Sequence, residues 1–466
     1  MTSTRRLSTF ALGLCALLCS APARPQAAAP AVPPQPPAST NPGPATDAPK
    51  TADLLREATS LEQKHDWPAA LQKLDAVKAI NSQEPFLWSS YGYIALMNSK
   101  PDEAIADLQR EVAGHPDEEN IYVLLAQVQA QQHKPKDAIA TLQKLIAINP
   151  ANDTANGTLA ALLFGDKQYP AAEKVLRTML AAHPDNTSAQ LRLSSTLARE
   201  DKKNEALALL KPIAEKSQDP ALLNDAAFAL ADDDLDLPLA EQTARHSLAL
   251  LDAQSLPGVP GPKPLLRAAV LVSVWDTFGW TLFREGKVAE AEPWVRAAWS
   301  NSLAAETGYH LGMILEKQGQ PIKAMAVYQM ASLGDPSNND DIADNITARQ
   351  AALRKAGTPN QVPDGKTALQ SMQTFKVPGA NTLNGQALVE IEFSAHGAAN
   401  ATIVRDDPNH DSLTEVETAL DRIDYKASLP PGSHVTLIRR GILTCRSKTP
   451  CQFSLFTTRA AMSQPN

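Results

Sequence analysis

Alanine recurs at a fixed spacing through the middle of the chain. Six alanines follow one another at equal steps: Ala70, Ala104, Ala138, Ala172, Ala206 and Ala240. A leucine stands one helical turn after each of the first five, at positions 74, 108, 142, 176 and 210. Self-similarity at a period of this length is typical of proteins built from stacked helical repeats. The spacing therefore predicts a mainly α-helical repeat architecture.

The spacing is interrupted once. The step after Ala240 would fall on Val274, but the series resumes half a period later, at Ala291. Ala324 then follows Ala291 after almost one full period. We assign the extra half period to an insertion at 255–271, which begins with the Pro/Gly-rich sequence SLPGVPGPKP.

Two glycines lie inside apolar runs at the same point of the period. Gly92 and Gly279 are each flanked by aromatic residues, and five periods plus the insertion separate them. Glycine inside a helix costs about 1 kcal/mol relative to alanine, so close helix packing has to offset it. We predict a structural packing role for these glycines, their facing alanines and two flanking tryptophans: Trp88, Gly92, Ala104, Ala138, Ala172, Ala206, Ala240, Trp275, Gly279, Ala291, Gly312 and Ala324.

The pattern W-x2-Y-G at 88–92, followed by the alanine of PDEAIADL, resembles the tetratricopeptide repeat. The resemblance covers about 290 residues and implies an α-solenoid of about eight helix pairs, with helices A and B in each repeat. The predicted repeats are 51–84, 85–118, 119–152, 153–186, 187–220, 221–254, 272–304 and 305–338.

The resemblance implies that a partner protein or peptide binds in a groove lined by the A helices. The positions that the repeat motif leaves free are mostly apolar or aromatic: Phe86, Ser89, Tyr93, Val123, Gln127, Phe164, Leu191, Ser195, Trp280, Phe283, Tyr309 and Met313. Where relatives hold an acidic peptide terminus with cations, this chain has Ser89, Val123, Gly157 and Leu191. An apolar extended or helical segment is the expected ligand. Packing of these residues against a neighbouring repeat or the chain's own tail is the alternative.

The first residues predict export. Arg5 and Arg6 precede an apolar run, and Ala21 and Ala23 follow with the spacing that signal peptidase requires. We predict a signal peptide at 1–23, a Pro/Ala-rich disordered linker at 24–50, and a periplasmic or extracellular location in a bacterium. A lipoprotein signal, a twin-arginine signal or a retained membrane anchor are the alternatives. The sequence predicts no other contact with a membrane.

The end of the chain predicts a small α+β domain at 386–458, after a linker with a short helix at 339–385. The predicted order is strands in ALVEIEFS and ATIVRD, a helix in SLTEVETALDRI, and strands in HVTLIRR, GILTC and QFSLF. This order is similar to the carboxy-terminal domain of TonB-like proteins. That resemblance implies an alternative function as an envelope coupling protein with a retained N-terminal anchor. In the exported scaffold itself, we expect the tail to bind a second envelope component through the edge of its sheet or the Arg439–Arg440 pair.

Cys445 and Cys451 are the two cysteines that follow the predicted signal peptide. Strands on either side and an oxidising compartment predict a disulfide between them. A metal or redox site is the rival interpretation, but it lacks further ligands and the C-x-x-C spacing.

The sequence shows little sign of catalysis. No H-E-x-x-H, G-x-S-x-G or phosphate-loop motif occurs. The net charge of −8 argues against a nucleic-acid partner, which requires a basic face. We therefore expect a scaffold without a cofactor or bound metal, and an enzyme or enzyme-accessory subunit is a further alternative.

Overall fold

The computed structural model describes residues 48–254, 264–335, 341–358, 364–377, 385–394, 397–406, 428–433, 435–446, 449–457 and 460–461. They divide into two compact units, with unit 1 ending at Thr196 and unit 2 beginning at Leu197. The predicted signal peptide and nearly all of the Pro/Ala-rich linker lie outside the described residues.

The first sixteen described helices follow one another as eight helix pairs, which confirms the predicted repeat architecture. Unit 1 contains α1 (Ala48–Gln63), α2 (Trp67–Ile80), α3 (Leu87–Met97), α4 (Pro101–Gly114), α5 (Glu119–Gln131), α6 (Pro135–Ile148), α7 (Asp153–Gly165), α8 (Tyr169–Ala182) and most of α9 (Thr187–Arg199). Unit 2 continues with α10 (Lys203–Lys216), α11 (Pro220–Asp232), α12 (Leu237–Gln254), α13 (Pro264–Arg284), α14 (Val288–Ser302), α15 (Ala305–Lys317) and α16 (Pro321–Ala331). The odd-numbered helices are the A helices.

A left-handed residue ends each A helix in unit 1 and turns the chain into the B helix. The residues His65, Ser99, His133 and Lys167 have φ values between 55° and 59°, and they recur at the same spacing as the alanines. Proline then occupies the first turn of α2, α4, α6 and α8, where its missing N–H costs nothing. In unit 2 the corresponding turns of α13 and α15 use Gly286 and Gly319.

The glycines of the A helices lie against their B helices. A Cβ atom on Gly92 would lie 3.3 Å from the Ala104 carbonyl oxygen, and one on Gly279 would lie 3.0 Å from that of Ala291. At Gly312 the nearest neighbour is the ring of Tyr328, 2.1 Å from a Cβ, rather than Ala324. The alanines at 104, 138, 172, 206, 240, 291 and 324 are fully buried. Trp275 is buried as well, whereas Trp88 is half-buried under the guanidinium of Arg110, 4.7 Å from its ring.

The predicted insertion at 255–271 is only partly a loop. Helix α12 continues to Gln254, and α13 already begins at Pro264, so residues 264–271 add two helical turns. Helix α13 has 21 residues and is apolar enough to cross a membrane by length and hydropathy, but 67% of that apolar window is buried inside the protein. This burial is typical of a core helix.

Two helices and a sheet follow the repeats. They are α17 (Asp341–Lys355), α18 (Gly365–Gln373), β1 (Thr374–Val377), β2 (Gly385–Ser394), β3 (Gly397–Asp406), β4 (Leu437–Arg446) and β5 (Thr449–Leu455). The strands form an antiparallel sheet in the order β1-β5-β4-β2-β3. The predicted helix at 412–423 lies outside the described residues.

The structure corrects two details of the predicted C-terminal domain. The sequences HVTLIRR and GILTC contribute to one continuous strand, β4, rather than to two. Gly441 allows this continuity, because a Cβ there would lie 2.6 Å from the Ser454 carbonyl oxygen of β5. Helix α18 and strand β1 lie in the region assigned to a linker, and β1 adds an edge strand beside β5. Cys445 and Cys451 are joined with their Sγ atoms 2.07 Å apart, across β4 and β5.

The sheet packs directly on the seventh helix pair. Leu437 and Val435 lie in one apolar cluster with Leu271 and Val274 of α13. Beside this cluster, Nη1 of Arg439 donates to Oδ1 of Asn301 on α14 at 2.7 Å.

The predicted surface role of the Arg439–Arg440 pair is therefore wrong. The two residues are 5% and 3% exposed, because Arg439 binds Asn301 and Nε of Arg440 binds Oε1 of Glu390 at 2.9 Å. The pair holds the sheet in place instead of presenting charge to a partner.

Candidate partner-binding face

In unit 1 the A helices from α3 to α9 share a series of uncharged side chains. Residues three and four apart lie on the same side of a helix, and the series repeats from one A helix to the next at the spacing of the alanines. We define the uncharged face of unit 1 by its half-buried members: Tyr93, Leu96, Met97, Gln127, Ala130, Gln131, Ala161, Phe164 and Ser195. Four of the predicted groove residues, Tyr93, Gln127, Phe164 and Ser195, belong to it.

The charges of unit 1 lie mainly on the B helices. Arg110 pairs with Asp107 at 2.9 Å, Lys134 with Asp102 at 2.9 Å, and Arg177 with Glu173 at 2.7 Å. All except Lys134, which immediately precedes α6, lie within α4 and α8. The A-helix side therefore differs in chemistry from the rest of the unit 1 surface.

Two aromatic pairs lie on the uncharged face. The ring of Tyr93 meets Trp67 edge-on with centroids 6.2 Å apart, and Phe164 meets Tyr169 edge-on at 5.3 Å. In both pairs an A-helix ring contacts the first residue of a B helix. Each ring remains partly accessible to a ligand, with Tyr169 and Trp67 at the rim of the face rather than on an A helix.

Phe86 and Ser89 are not exposed groove residues, because the structure buries them at the start of α3. Phe86 is 5% exposed and Ser89 is 2% exposed. The buried carboxylate of Glu111 accepts hydrogen bonds from the backbone N–H groups of Phe86, Trp88 and Ser89 at 2.8, 2.8 and 3.0 Å. These N–H groups have no partner within the helix, so Glu111 completes the start of α3. A sign of this role was available in the sequence, because a charged glutamate stands on the otherwise apolar buried side of α4.

Two of the other positions at which relatives carry a cation to hold an acidic peptide terminus are also buried. Val123 is 9% exposed and Leu191 is 7% exposed. The alternative of packing against a neighbouring repeat therefore holds for these two residues.

A buried carboxylate lies beside Tyr93. Glu62 of α1 is 2% exposed, and neither of its carboxylate oxygens has a hydrogen-bond partner among the described residues. Burial raises the pKa of Glu62 to about 7. The nearby Ser90 hydroxyl lowers the pKa by a smaller amount, although it does not lie in hydrogen-bonding geometry. Burial, and then the charge of Glu62, raise the pKa of Tyr93. The first repeat therefore contains a carboxyl group that titrates near neutral pH.

In unit 2 the predicted groove residue Trp280 is part of the interior. It is 6% exposed, and its ring stacks on His310 at 4.1 Å and on Phe283 at 5.2 Å. Its indole Nε1 donates to Oδ1 of Asp232 at 3.3 Å. The predicted exposure of Trp280 is wrong, because the adjacent A helix covers the ring.

Beneath Trp280, a polar network joins α13 to α15. Oδ2 of Asp276 accepts from the Thr307 hydroxyl at 3.2 Å and lies 3.0 Å from Nδ1 of His310. Burial alone would lower the pKa of His310, but the carboxylates of Asp276, Glu306 and Asp232 oppose it, and the net shift of the pKa is upward. The network holds two consecutive A helices together.

Asp276 and His310 were not predicted from the sequence. The available signal was a charged residue within the apolar run VWDTFGW, at the repeat position that Ser89 occupies in α3. The other predicted residues of unit 2, Phe283, Tyr309 and Met313, are half-buried. Tyr309 lies 6.3 Å from Tyr328 between ring centroids, so part of its surface is used inside the protein.

The described residues contain no group of three or more His, Cys, Asp or Glu side chains placed to hold a metal ion. The residues of the uncharged face offer apolar contact, aromatic rings and amide hydrogen bonds. This chemistry suits recognition of a chain segment.

The paired helices and their constant spacing define a helical repeat protein. A family model described as tetratricopeptide repeat matches residues 95–162, 129–192 and 163–227. Residues 95–227 of the chain therefore match the tetratricopeptide repeat.

Several solved structures are similar. A tetratricopeptide repeat protein from Parabacteroides merdae is 15% identical, with 65% of this chain and 99% of that chain covered and a TM-score of 0.43. Yeast Tom70 is 14% identical, with 71% and 69% covered and a TM-score of 0.42. YrrB, described as a TPR protein with an unusual peptide-binding site, is 17% identical, with 41% and 90% covered and a TM-score of 0.31. No curated protein matches the sequence.

Proposed function

We propose that the chain is an exported scaffold that binds a segment of a partner protein along the uncharged face of unit 1. The observation that carries the proposal is the contrast between that face and the B helices, because a binding surface is expected to differ from the solvated remainder. Half-buried Tyr93 and Phe164 supply aromatic contact area, and Gln127 supplies an amide for the backbone of the ligand.

The location is part of the same proposal. Support for export comes from the N-terminal sequence pattern, and an oxidising compartment suits the Cys445–Cys451 pair. Sequencing the N-terminus of the mature protein tests this step. A start near residue 24 is expected, whereas an intact residue 1 would favour the alternative of an envelope coupling protein with a retained anchor.

The binding proposal is tested by a cross-linked pull-down from the envelope fraction, with partners quantified by mass spectrometry. In unit 1, Phe164→Glu places a charge on the uncharged face, and Ile148→Glu is its matched control, because Ile148 is 50% exposed on the B helix α6. In unit 2, Phe283→Glu is matched by Ile322→Glu, with Ile322 49% exposed on α16. Circular dichroism establishes that all four variants are folded.

The expected result is a partner that the wild type and both isoleucine variants retain and that Phe164→Glu loses by at least tenfold. Loss in Phe283→Glu alone would move the binding site to unit 2. An identical set of partners for Phe164→Glu and wild type would refute binding on the uncharged face.

A further inference from the structure

We propose that residues 26–46 of the chain bind the uncharged face of unit 1 in the same molecule and compete there with the partner segment. This inference rests on the proposed function, because it gives the same face a second ligand. Residues 26–46 themselves lie outside the described residues.

The chemistry of this segment matches that of the face. Residues 26–46, with the sequence QAAAPAVPPQPPASTNPGPAT, include seven prolines and no charged residue. Prolines lack the backbone N–H, so the segment is rich in carbonyl acceptors and poor in donors. Such sequences favour the polyproline II conformation, in which the backbone makes no internal hydrogen bonds. A complementary surface therefore needs rings to stack on proline and donors for the free carbonyls.

The uncharged face supplies both kinds of group. The Trp67–Tyr93 and Phe164–Tyr169 pairs provide rings, with centroids 6.2 and 5.3 Å apart within each pair. Half-buried Gln127 lies on α5, between the A helices that carry Tyr93 and Phe164, and its amide can donate to a carbonyl. Grooves that bind proline-rich segments combine aromatic walls with such donors. Because neither partner is charged, no ion is desolvated when they meet.

The connection to α1 makes the contact intramolecular. Helix α1 begins at Ala48 and ends at Gln63, just before Trp67, so the segment joins unit 1 about 24 Å, one helix length, from the first aromatic pair. Twenty-one residues in polyproline II conformation span about 65 Å at roughly 3.1 Å per residue. A short tether produces an effective concentration on the order of millimolar. Even a weak contact would therefore be largely formed in the intact chain.

The A-helix side of unit 2 is a less suitable binding surface for residues 26–46. On the A helices of unit 2, Trp280 is closed against His310 with ring centroids 4.1 Å apart. A proline-rich segment would find fewer accessible rings there.

The experiment measures fluorescence anisotropy of a labelled synthetic peptide of residues 26–46 against four forms of the protein. These are the full chain, a variant lacking residues 24–46, and that shortened variant carrying either Phe164→Glu or Ile148→Glu. The peptide is expected to bind the shortened variant at least tenfold more tightly than the full chain, whose face is already occupied. Phe164→Glu should weaken binding at least tenfold, and Ile148→Glu should leave it within twofold.

Two controls address folding and the kind of contact. In the full chain, replacing Pro33, Pro34, Pro36 and Pro37 by Asp keeps the length and should restore peptide binding to the level of the shortened variant. Raising NaCl from about 50 to about 500 mM should change the affinity less than twofold, because charges are absent from both surfaces.

Absence of peptide binding to both the shortened and the Asp-substituted chain would overturn the inference. So would equal binding to the full and shortened chains, since the segment would then leave the face open. In either case, a partner that is still lost in Phe164→Glu would leave the proposed function standing. The two failures are therefore distinguishable.

Discussion

The A helices of the two units carry the same repeat but use their free positions differently. In unit 1, Tyr93, Gln127 and Phe164 remain half-buried at the surface, whereas in unit 2 Trp280 is closed against His310. The closure of Trp280 originates in one polar pair, since Asp276 and His310 join α13 to α15 at positions where unit 1 has uncharged residues. An A-helix position can therefore be a binding surface or an internal contact, and the neighbouring helix decides which.

The sharpest test of this comparison removes the polar pair. Asp276→Ala leaves His310 buried without its carboxylate, and loss of one member of a buried pair typically costs about 3 to 5 kcal/mol. We expect a decrease of this size in the free energy of unfolding of unit 2, measured by urea denaturation. Asp234→Asn, which removes a 59% exposed carboxylate and keeps a side chain that tolerates the left-handed backbone at this position, is the control and should change little. Equal effects of the two variants would contradict the structural role of the network.

A pH titration extends this test. His310 has a raised pKa in the folded protein, so its contribution to stability is fully present below its unfolded pKa of about 6.5 and is lost as the pH rises through the folded value. The destabilisation by Asp276→Ala should therefore be larger at pH 6 than at pH 9. A constant difference over this range would show that His310 does not change protonation with the pair.

Glu62 provides the corresponding titration in unit 1. Its pKa is raised from 4.5 to about 7 in the folded protein, so its stability contribution is fully present below pH 4.5 and is lost as the pH rises towards and through 7. Glu62→Gln, which keeps the neutral form, should stabilise the protein by on the order of 3 kcal/mol at pH 8 and by almost nothing at pH 4. Thermal unfolding at both pH values measures this. A pH-independent effect would mean that folding does not shift the pKa of Glu62.

The glycines test the packing of A on B helices and carry the smallest expected effects. Gly312→Ala places a Cβ 2.1 Å from the Tyr328 ring and should destabilise by about 1 to 3 kcal/mol. At Gly92 the nearest atom would be Cγ of Leu108 at 3.1 Å, and the better helix propensity of alanine offsets the contact, so Gly92→Ala should be within about 0.5 kcal/mol of wild type. Chemical denaturation of both variants gives the comparison. A similar loss at both positions would indicate equally tight packing in the two units.

The sequence predicted the repeated helices well, because the alanine spacing reports a contact that every repeat makes. The same spacing could not show that Phe86, Ser89 and Trp280 are buried, since their covers, Glu111 and His310, belong to other helices. It also missed β1 and the continuity of β4. Strand pairing between Phe375 and Phe453 depends on residues far apart in the chain, for which local patterns carry no signal.

The hydrogen bond between Asn301 and Arg439 has a consequence for the order in which the protein folds. Repeats normally complete their cores with adjacent segments, which makes folding local and fast. The seventh pair is different, because Asn301 receives Arg439 from 138 residues further along and α13 is covered by Leu437. While the chain is being synthesised, the preceding pairs can fold in sequence, but the outer side of α13 stays uncovered until residue 439 has left the ribosome. The slow step of folding should therefore be the arrival of the last strands on a scaffold that is already built.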